Sequence, residues 1–244
     1  MDVSHRPLEN RCILITGASG GLGRALSVAC SAAGATVVLT GRKVPELEKT
    51  YDLAESAGVS QPAIIPLDLL SATAHDYAAL AEQIKETFGA LHGLVHCAAS
   101  LGALTPLALY PAATWTEVFN TNLHAPLVMT QQLMPLMAES DLASVLFTVE
   151  ERLSAYWGAY GLSKAALTAT VAMLADECES SRTASGQIRV RVNGVAPGPM
   201  RTRLRQRAFP GELPEANPLP ETRTAPYVAL LSAGDQRNGE IVTA

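Results

Sequence analysis

Cysteine, aromatic residues and charge are all scarce in this chain of 244 residues. The four cysteines, Cys12, Cys30, Cys97 and Cys178, are scattered, and no pair has the spacing of a metal or redox motif. That argues against a disulfide framework and predicts reduced thiols. Cys12 and Cys97 are expected in buried strands, where a thiol behaves as a small hydrophobe. The five histidines form no ligand pattern, so no metal site is expected. A net charge of −5 lacks the basic footprint of a general nucleic-acid binder. No run is apolar for long enough to span a bilayer, so no membrane partner is expected. The opening "MDVSHRPLENR" lacks the charged-then-apolar layout of an export signal, and the reading is a cytoplasmic protein.

What the chain does have is apolar residues, 48% of the total, in an ordered alternation. Short apolar runs read as strands: "CILIT" (12–16), "TVVLT" (36–40), "AIIPL" (63–67), "GLVHC" (93–97), "SVLFT" (144–148) and "IRVRVNGV" (188–195). Helical patterns lie between them, near 44–57, 72–88, 114–139 and up to about 181. Pro126 and Pro135 are expected to kink or break the third of these. A short helix (about 226–233) and a short strand (about 239–243) close the chain. Strand–helix alternation means parallel strands with crossover helices. Strands covered on both faces read as continuous apolar runs, as these do. The expected fold is α/β: a single-domain Rossmann fold over residues 1–244, a doubly wound parallel sheet of about seven strands with helices on both faces. A proline- and arginine-rich segment, about 199–226, reads as a substrate loop or lid.

"TGASGGLG" (16–23) joins the first strand to the first helix. Gly17, Gly21 and Gly23 allow a sharp turn and close approach of backbone to a phosphate, and a helix N-terminus then faces the anion. A plain strand–helix turn would also be glycine-rich; the strand before and helix after favour nucleotide binding. The second strand ends "TGRK" with no acidic residue to hold a ribose 2′-hydroxyl. Arg42 could instead pair with a 2′-phosphate, which favours NADP over NAD; otherwise it is a solvated strand-end arginine. Asp68 could accept from an adenine amino group or be a turn or capping residue.

Tyr160 and Lys164 lie four residues apart, on one face of an expected helix. A phenol is a poor acid or base at neutral pH until a nearby ammonium favours its phenolate. Further on, "RTRLRQR" (201–207) pairs 201 with 205 and 203 with 207 if helical. It reads as a solvated lid helix or, more sharply, as a site for an anionic substrate or the NADP phosphate.

The chain resembles the short-chain dehydrogenase/reductase family along nearly its whole length. The resemblance rests on "TGASGGLG", Asp68, "HCAA" (96–99), Asn122 in "NTNLHAP", "YGLSK" (160–164) and "VNGVAPGPMRT" (192–202). It is similar in particular to YciK-type bacterial oxidoreductases. The resemblance implies hydride transfer between a nicotinamide cofactor, NADP or alternatively NAD, and a small-molecule carbonyl or alcohol substrate. Tyr160 would exchange a proton with the substrate oxygen. Lys164 would lower its pKa and hold the nicotinamide ribose, and Asn122 would hold a water in a proton relay. Gly17, Ser19, Gly21, Leu22, Gly23, Arg42, Asp68 and Ala98 would line the cofactor. Pro197, Gly198, Met200 and Thr202 would shape the nicotinamide end. A homodimer or homotetramer is implied as well.

Three departures stand against the family pattern. An Asn-Asn-Ala-Gly segment is replaced by His96-Cys97-Ala98-Ala99, which loses an asparagine hydrogen bond and a glycine. The usual terminal Asp-Gly-Gly segment is absent. The serine that bonds the substrate carbonyl is missing: counting back from Tyr160 its place falls at Phe147 or Thr148, and by the other alignment at Val149 or Glu150. Thr148 is the first substitute and Ser154 the reserve, with Glu150 and Glu151 read as solvated or paired to Arg152. Losing such a donor costs about 10²–10³ in rate. The alternative is therefore a cofactor-binding protein with little or no turnover, in a sensor or interaction role.

Overall fold

The computed structural model describes residues 6–150 and 154–244. Seven strands form one sheet: β1 (Cys12–Thr16), β2 (Thr36–Thr40), β3 (Ala63–Ile64), β4 (Gly93–His96), β5 (Ala143–Thr148), β6 (Val190–Ala196) and β7 (Ile241–Thr243). Their spatial order is β3-β2-β1-β4-β5-β6-β7, and every neighbouring pair is parallel. The helices are α1 (Gly21–Ala32), α2 (Val44–Ala57), α3 (Ala74–Phe88), α4 (Ala112–Phe119), α5 (Ala125–Glu139), α6 (Gly158–Cys178), α7 (Arg203–Ala208) and α8 (Ala225–Leu231). This is the doubly wound Rossmann architecture that the alternation predicts.

Alternate residues of each strand face opposite helical layers. Leu14, Leu94, Val145, Phe147 and Val149 pack towards α3, α5 and α6. Ile13, Ile15, Val95, Leu146 and Val195 pack towards α1, α2 and α8. Burial of each such side chain contributes roughly 1.5–3 kcal/mol, which explains the unbroken apolar strands. The β5 parity matters later: Thr148 shares the α8 side with Leu146, and Val149 returns to the α6 side.

The strand ends are level where a ligand would sit. Thr16 is in register with Thr40 and with His96, His96 with Phe147, and Thr148 with Val195. The order reverses between β1 and β4, the crevice at which such sheets bind nucleotides.

Several expected boundaries move. The 63–67 run makes a strand of only two residues, because Pro66 closely follows and has no N–H for a ladder. Cys97 lies just beyond β4 and is half-buried at the cleft rather than inside a strand. The helical stretch expected at 114–139 is divided. Between α4 and α5 lies a π-helical turn, Asn120–His124, in which the Ala125 N–H bonds back to the Asn120 carbonyl. Pro126 cannot donate to the carbonyl of Asn122 four residues earlier, so the α-pattern cannot run through this point. Pro135 is tolerated within α5. Among the described residues, no helix is long and apolar enough to cross a membrane, and no cluster of three metal-ligating side chains occurs.

Candidate active site

One cleft of about 1020 Å³ runs along the carboxyl ends of β1, β2, β4, β5 and β6. Its near half is built by the turn after β1. Gly17 has φ +66°, and a Cβ there would lie 2.8 Å from the Cα of Ala98. At Gly23 a Cβ would meet the Gly17 carbonyl oxygen at 2.3 Å. Both positions need glycine, one for its backbone angle and both for close packing. The Thr16 hydroxyl accepts from the N–H groups of Cys97 (3.0 Å) and Ala98 (3.2 Å), tying β1 to the end of β4. Among the described residues, left-handed backbone outside glycine occurs at Asn10, Leu142 and Tyr156. Ala99 is not one of them, so the extra methyl sits without that strain.

Ser19, Gly21, Leu22, Arg42 and Asp68 line this half with Gly17, Gly23 and Ala98. Arg42 and Asp68 approach to 3.9 Å, both largely exposed. Asp68 also accepts from the Leu70 N–H, so it is a turn residue beside the cleft, not a helix cap; Thr73 caps α3. The side chains present fit a dinucleotide: free N–H groups at the start of α1, a turn that no Cβ could enter, and a cationic side chain at the end of β2.

At the far half, α6 delivers Tyr160 and Lys164, both almost fully buried. Lys164 Nζ lies 5.9 Å from the Tyr160 ring centroid and donates to the Thr148 carbonyl at 2.7 Å. Burial pulls the Lys164 ammonium down to about 8, partly offset by the Glu150 carboxylate and the Cys97 thiol. Asn122 is buried in the π-turn and fully engaged. Its Oδ1 accepts from the Ser100 N–H at 2.7 Å, and its Nδ2 donates to the Ser100 carbonyl and to Ser163 Oγ. Its side chain thus pins the segment after β4 to α6.

The substitute for the missing serine is not where it was expected. Strand parity turns the Thr148 hydroxyl away from α6, to within 3.1 Å of the Tyr227 hydroxyl on α8 and 3.4 Å of Cys97 Sγ. Only its main-chain carbonyl reaches the Tyr160–Lys164 side. Val149 is buried in the core, and Ser154 is exposed outside the cleft. The group that faces Tyr160 is Glu150: the phenol donates to Glu150 Oε2 at 2.7 Å. Glu150 is part-buried, not simply solvated as its charge suggests. Glu151 and Arg152 lie outside the described residues.

His96 stands where the family has asparagine. Its ring stacks on Phe147 at 4.9 Å, and its Nε2 is 2.9 Å from Thr130 Oγ1. Burial, helped by Lys164, lowers it to about 3, so it is neutral in the fold.

The loop after β6 closes the far half. Pro197, Gly198, Met200 and Thr202 all line the cleft, and Thr202 caps α7 by accepting from the Arg205 N–H. Arg205 makes a two-point ion pair with Glu212 (2.6 and 2.7 Å) and lies 3.7 Å over the Phe209 ring. Phe209 meets Trp157, which meets Tyr160. The basic run therefore divides: Arg205 is structural, while Arg203 and Arg207 are exposed at the rim. Trp157, Phe209 and Thr16 were not singled out from sequence, since an aromatic at a helix start or a threonine at a strand end carries no distinctive pattern. Strand alternation alone would put Glu150 on the Thr148 face, so its approach to Tyr160 had no signal in the sequence.

The family model for short chain dehydrogenases matches residues 11–213. The uncharacterized oxidoreductase YciK of Escherichia coli K12 is 35% identical over 233 residues, covering 94% of this chain and 89% of that protein. The solved structure of E. coli YciK superposes with a TM-score of 0.91 at 33% identity, covering 98% of this chain and 97% of that one. A protein from Shigella flexneri 2a described as a short chain dehydrogenase, complexed with NADP, gives 0.91 at 33% identity, covering 98% and 99%. The chain belongs to the short chain dehydrogenase family of oxidoreductases.

Proposed function

We propose that this protein is an NADP-preferring oxidoreductase acting on a small-molecule carbonyl/alcohol pair. The bound nicotinamide would supply or accept the hydride. The observation that carries the reading is the buried Tyr160–Lys164 pair at the mouth of a cleft whose other end is shaped for a diphosphate. Tyr160 hands its proton to the oxygen of the reduced carbonyl. Lys164, held by the Thr148 carbonyl, places positive charge beside the phenol and so favours its ionised form after transfer. Asn122 keeps the segment after β4 in register with α6 and leaves its own carbonyl free of an α-helical bond for a relay water.

NADP is favoured over NAD because Arg42 stands at the end of β2 and no acidic residue ends that strand. Its exposed 3.9 Å pairing with Asp68 is worth little and yields readily to a 2′-phosphate. The Shigella relative was solved with NADP. Arg203 and Arg207 at the rim suit a substrate with an anionic group. Leu162 and Met173, exposed on α6, suit a homodimer or homotetramer in the cytoplasm.

The experiment is NADPH and NADH binding by fluorescence, then turnover on ketones, aldehydes and quinones, each with and without a carboxylate. NADPH should bind more tightly. Tyr160→Phe should lower kcat by about 10²–10⁴ with cofactor affinity unchanged. The second reading, cofactor binding with little turnover, is favoured by one observation: an acceptor, Glu150, occupies the place of a donor. Tight NADPH binding with no Tyr160-dependent turnover on the whole panel would establish it.

A further inference from the structure

The substrate half of the cleft is walled on one side by Phe209, which follows α7, a helix of only six residues. A helix that short has little stability of its own. The ring is held instead by a charged clasp. The Arg205 guanidinium lies 3.7 Å over the Phe209 ring and donates to both carboxylate oxygens of Glu212, at 2.6 and 2.7 Å. The backbone closes the same circuit: the Phe209 N–H donates to the Arg205 carbonyl, and the Glu212 N–H to the Phe209 carbonyl. Arginine suits both contacts, because its planar fork matches a carboxylate and also lies against an aromatic face; lysine offers only a point charge. The side chains of this pair are 18% and 26% exposed, against 61% and 43% for Arg42 and Asp68, so water and salt weaken it less. Beyond the clasp, the Phe209 ring meets that of Trp157 at 5.8 Å.

We infer that Arg205 and Glu212 set the size limit of the substrate half, admitting compact carbonyl compounds in preference to bulky ones by fixing Phe209 against Trp157. Both are positioning residues that act through that ring. The inference rests on the oxidoreductase reading for the identity of the substrate. With Glu212 neutralised, Arg205 loses its carboxylate anchor, the ring is free to swing away, and the half gains the room that a bulky ketone needs.

The test measures kcat/KM with NADPH for cyclohexanone against 4-phenylcyclohexanone in wild type, Glu212→Gln, Phe209→Ala and the double variant. If neither ketone turns over, the same ratio is read from their quenching of bound NADPH fluorescence. The preference for the smaller ketone should fall by about tenfold in Glu212→Gln, the lower end of the range for a small change in pocket size. In the Phe209→Ala background the same substitution should move it by less than about twofold, because the ring it acts through is gone. An unchanged preference in Glu212→Gln, or an equal fall in both backgrounds, would overturn the inference. NADPH affinity of Glu212→Gln should stay within about twofold of wild type. A parallel loss would mean that the clasp holds the whole loop rather than the ring, and the inference falls. A second readout needs no substrate. In a Trp115→Phe background Trp157 is the sole tryptophan. Glu212→Gln should then raise its quenching by acrylamide toward the level of Phe209→Ala. No rise would mean that the ring keeps its place without the clasp, which sinks the proposal. Failure of the wild type to bind NADPH would instead sink the oxidoreductase reading, while the tryptophan readout would still decide the clasp.

Discussion

The two halves of the cleft are built by different means. The dinucleotide half is made of backbone: a turn closed by Gly17 and Gly23, the start of α1, and the N–H groups that meet at the Thr16 hydroxyl. The substrate half is made of side chains: Tyr160, Glu150, Trp157, Phe209 and Arg205, drawn from α6, the end of β5 and the loop after β6. Backbone surfaces tolerate little change, because a single methyl collides with main chain that cannot swing aside. Side-chain surfaces can exchange one functional group for another with the fold intact. The glutamate that stands where the family pattern has a serine is an exchange of this second kind.

The largest effect is expected where the first half is broken. Gly23→Ala puts a methyl 2.3 Å from the Gly17 carbonyl, so the turn must open. NADPH affinity should fall by at least about tenfold and stability by about 1–3 kcal/mol. Gly211→Ala is the control, since nothing lies within 4 Å of its Cβ position. Fluorescence titration and urea unfolding read both; equal effects at the two glycines would erase the contrast between the halves.

A smaller, pH-dependent effect separates the buried ammonium from its surroundings. Lys164 is lowered to about 8 in the fold against 10.5 unfolded, because burial disfavours its charge. Between these values the unfolded chain holds the extra proton, so stability rises with pH there, and the cost of burying the charge is fully present below about 8. Lys164→Met removes this dependence. The wild type should gain on the variant by up to about 3 kcal/mol between pH 7 and pH 10.5, as urea midpoints at the two pH values would show. A constant difference would mean that Lys164 is not desolvated.

The smallest effect sharpens the boundary. Thr148→Val loses the hydroxyl bonded to Tyr227 and Cys97, which should cost about 1 kcal/mol of stability. Turnover and cofactor affinity should stay within about twofold. A drop of tenfold or more in kcat would place the Thr148 hydroxyl in the substrate half after all.

The same division governs what could be read from the sequence. The strands, their parallel order and the glycine turn follow from local patterns: apolar runs of strand length, glycines at fixed spacing, and a tyrosine and lysine one helical turn apart. The π-turn at Asn120–His124 was visible only as a proline in a long helix, because its geometry goes with the packing of α4 and of the turn itself beside α6. Thr148 misled because a hydroxyl near the right count was weighed without the face on which it points. Glu150 reads from sequence as solvated or paired to Arg152, because charge alone says nothing of a phenol brought from ten residues downstream. The arginine run could not be divided from sequence, since only the folded loop reveals Glu212 beside Arg205.

The bond from Lys164 to the carbonyl of Thr148 has a further consequence. Its acceptor is an atom that every amino acid possesses, so the anchor is indifferent to which residue follows in the strand. The residue opposite the phenol can therefore be exchanged, for serine or threonine in place of glutamate, without loosening the ammonium. For anyone wishing to retune this protein, position 150 is the replaceable part in a socket that stays wired to the main chain, while Val149 beside it belongs to the core.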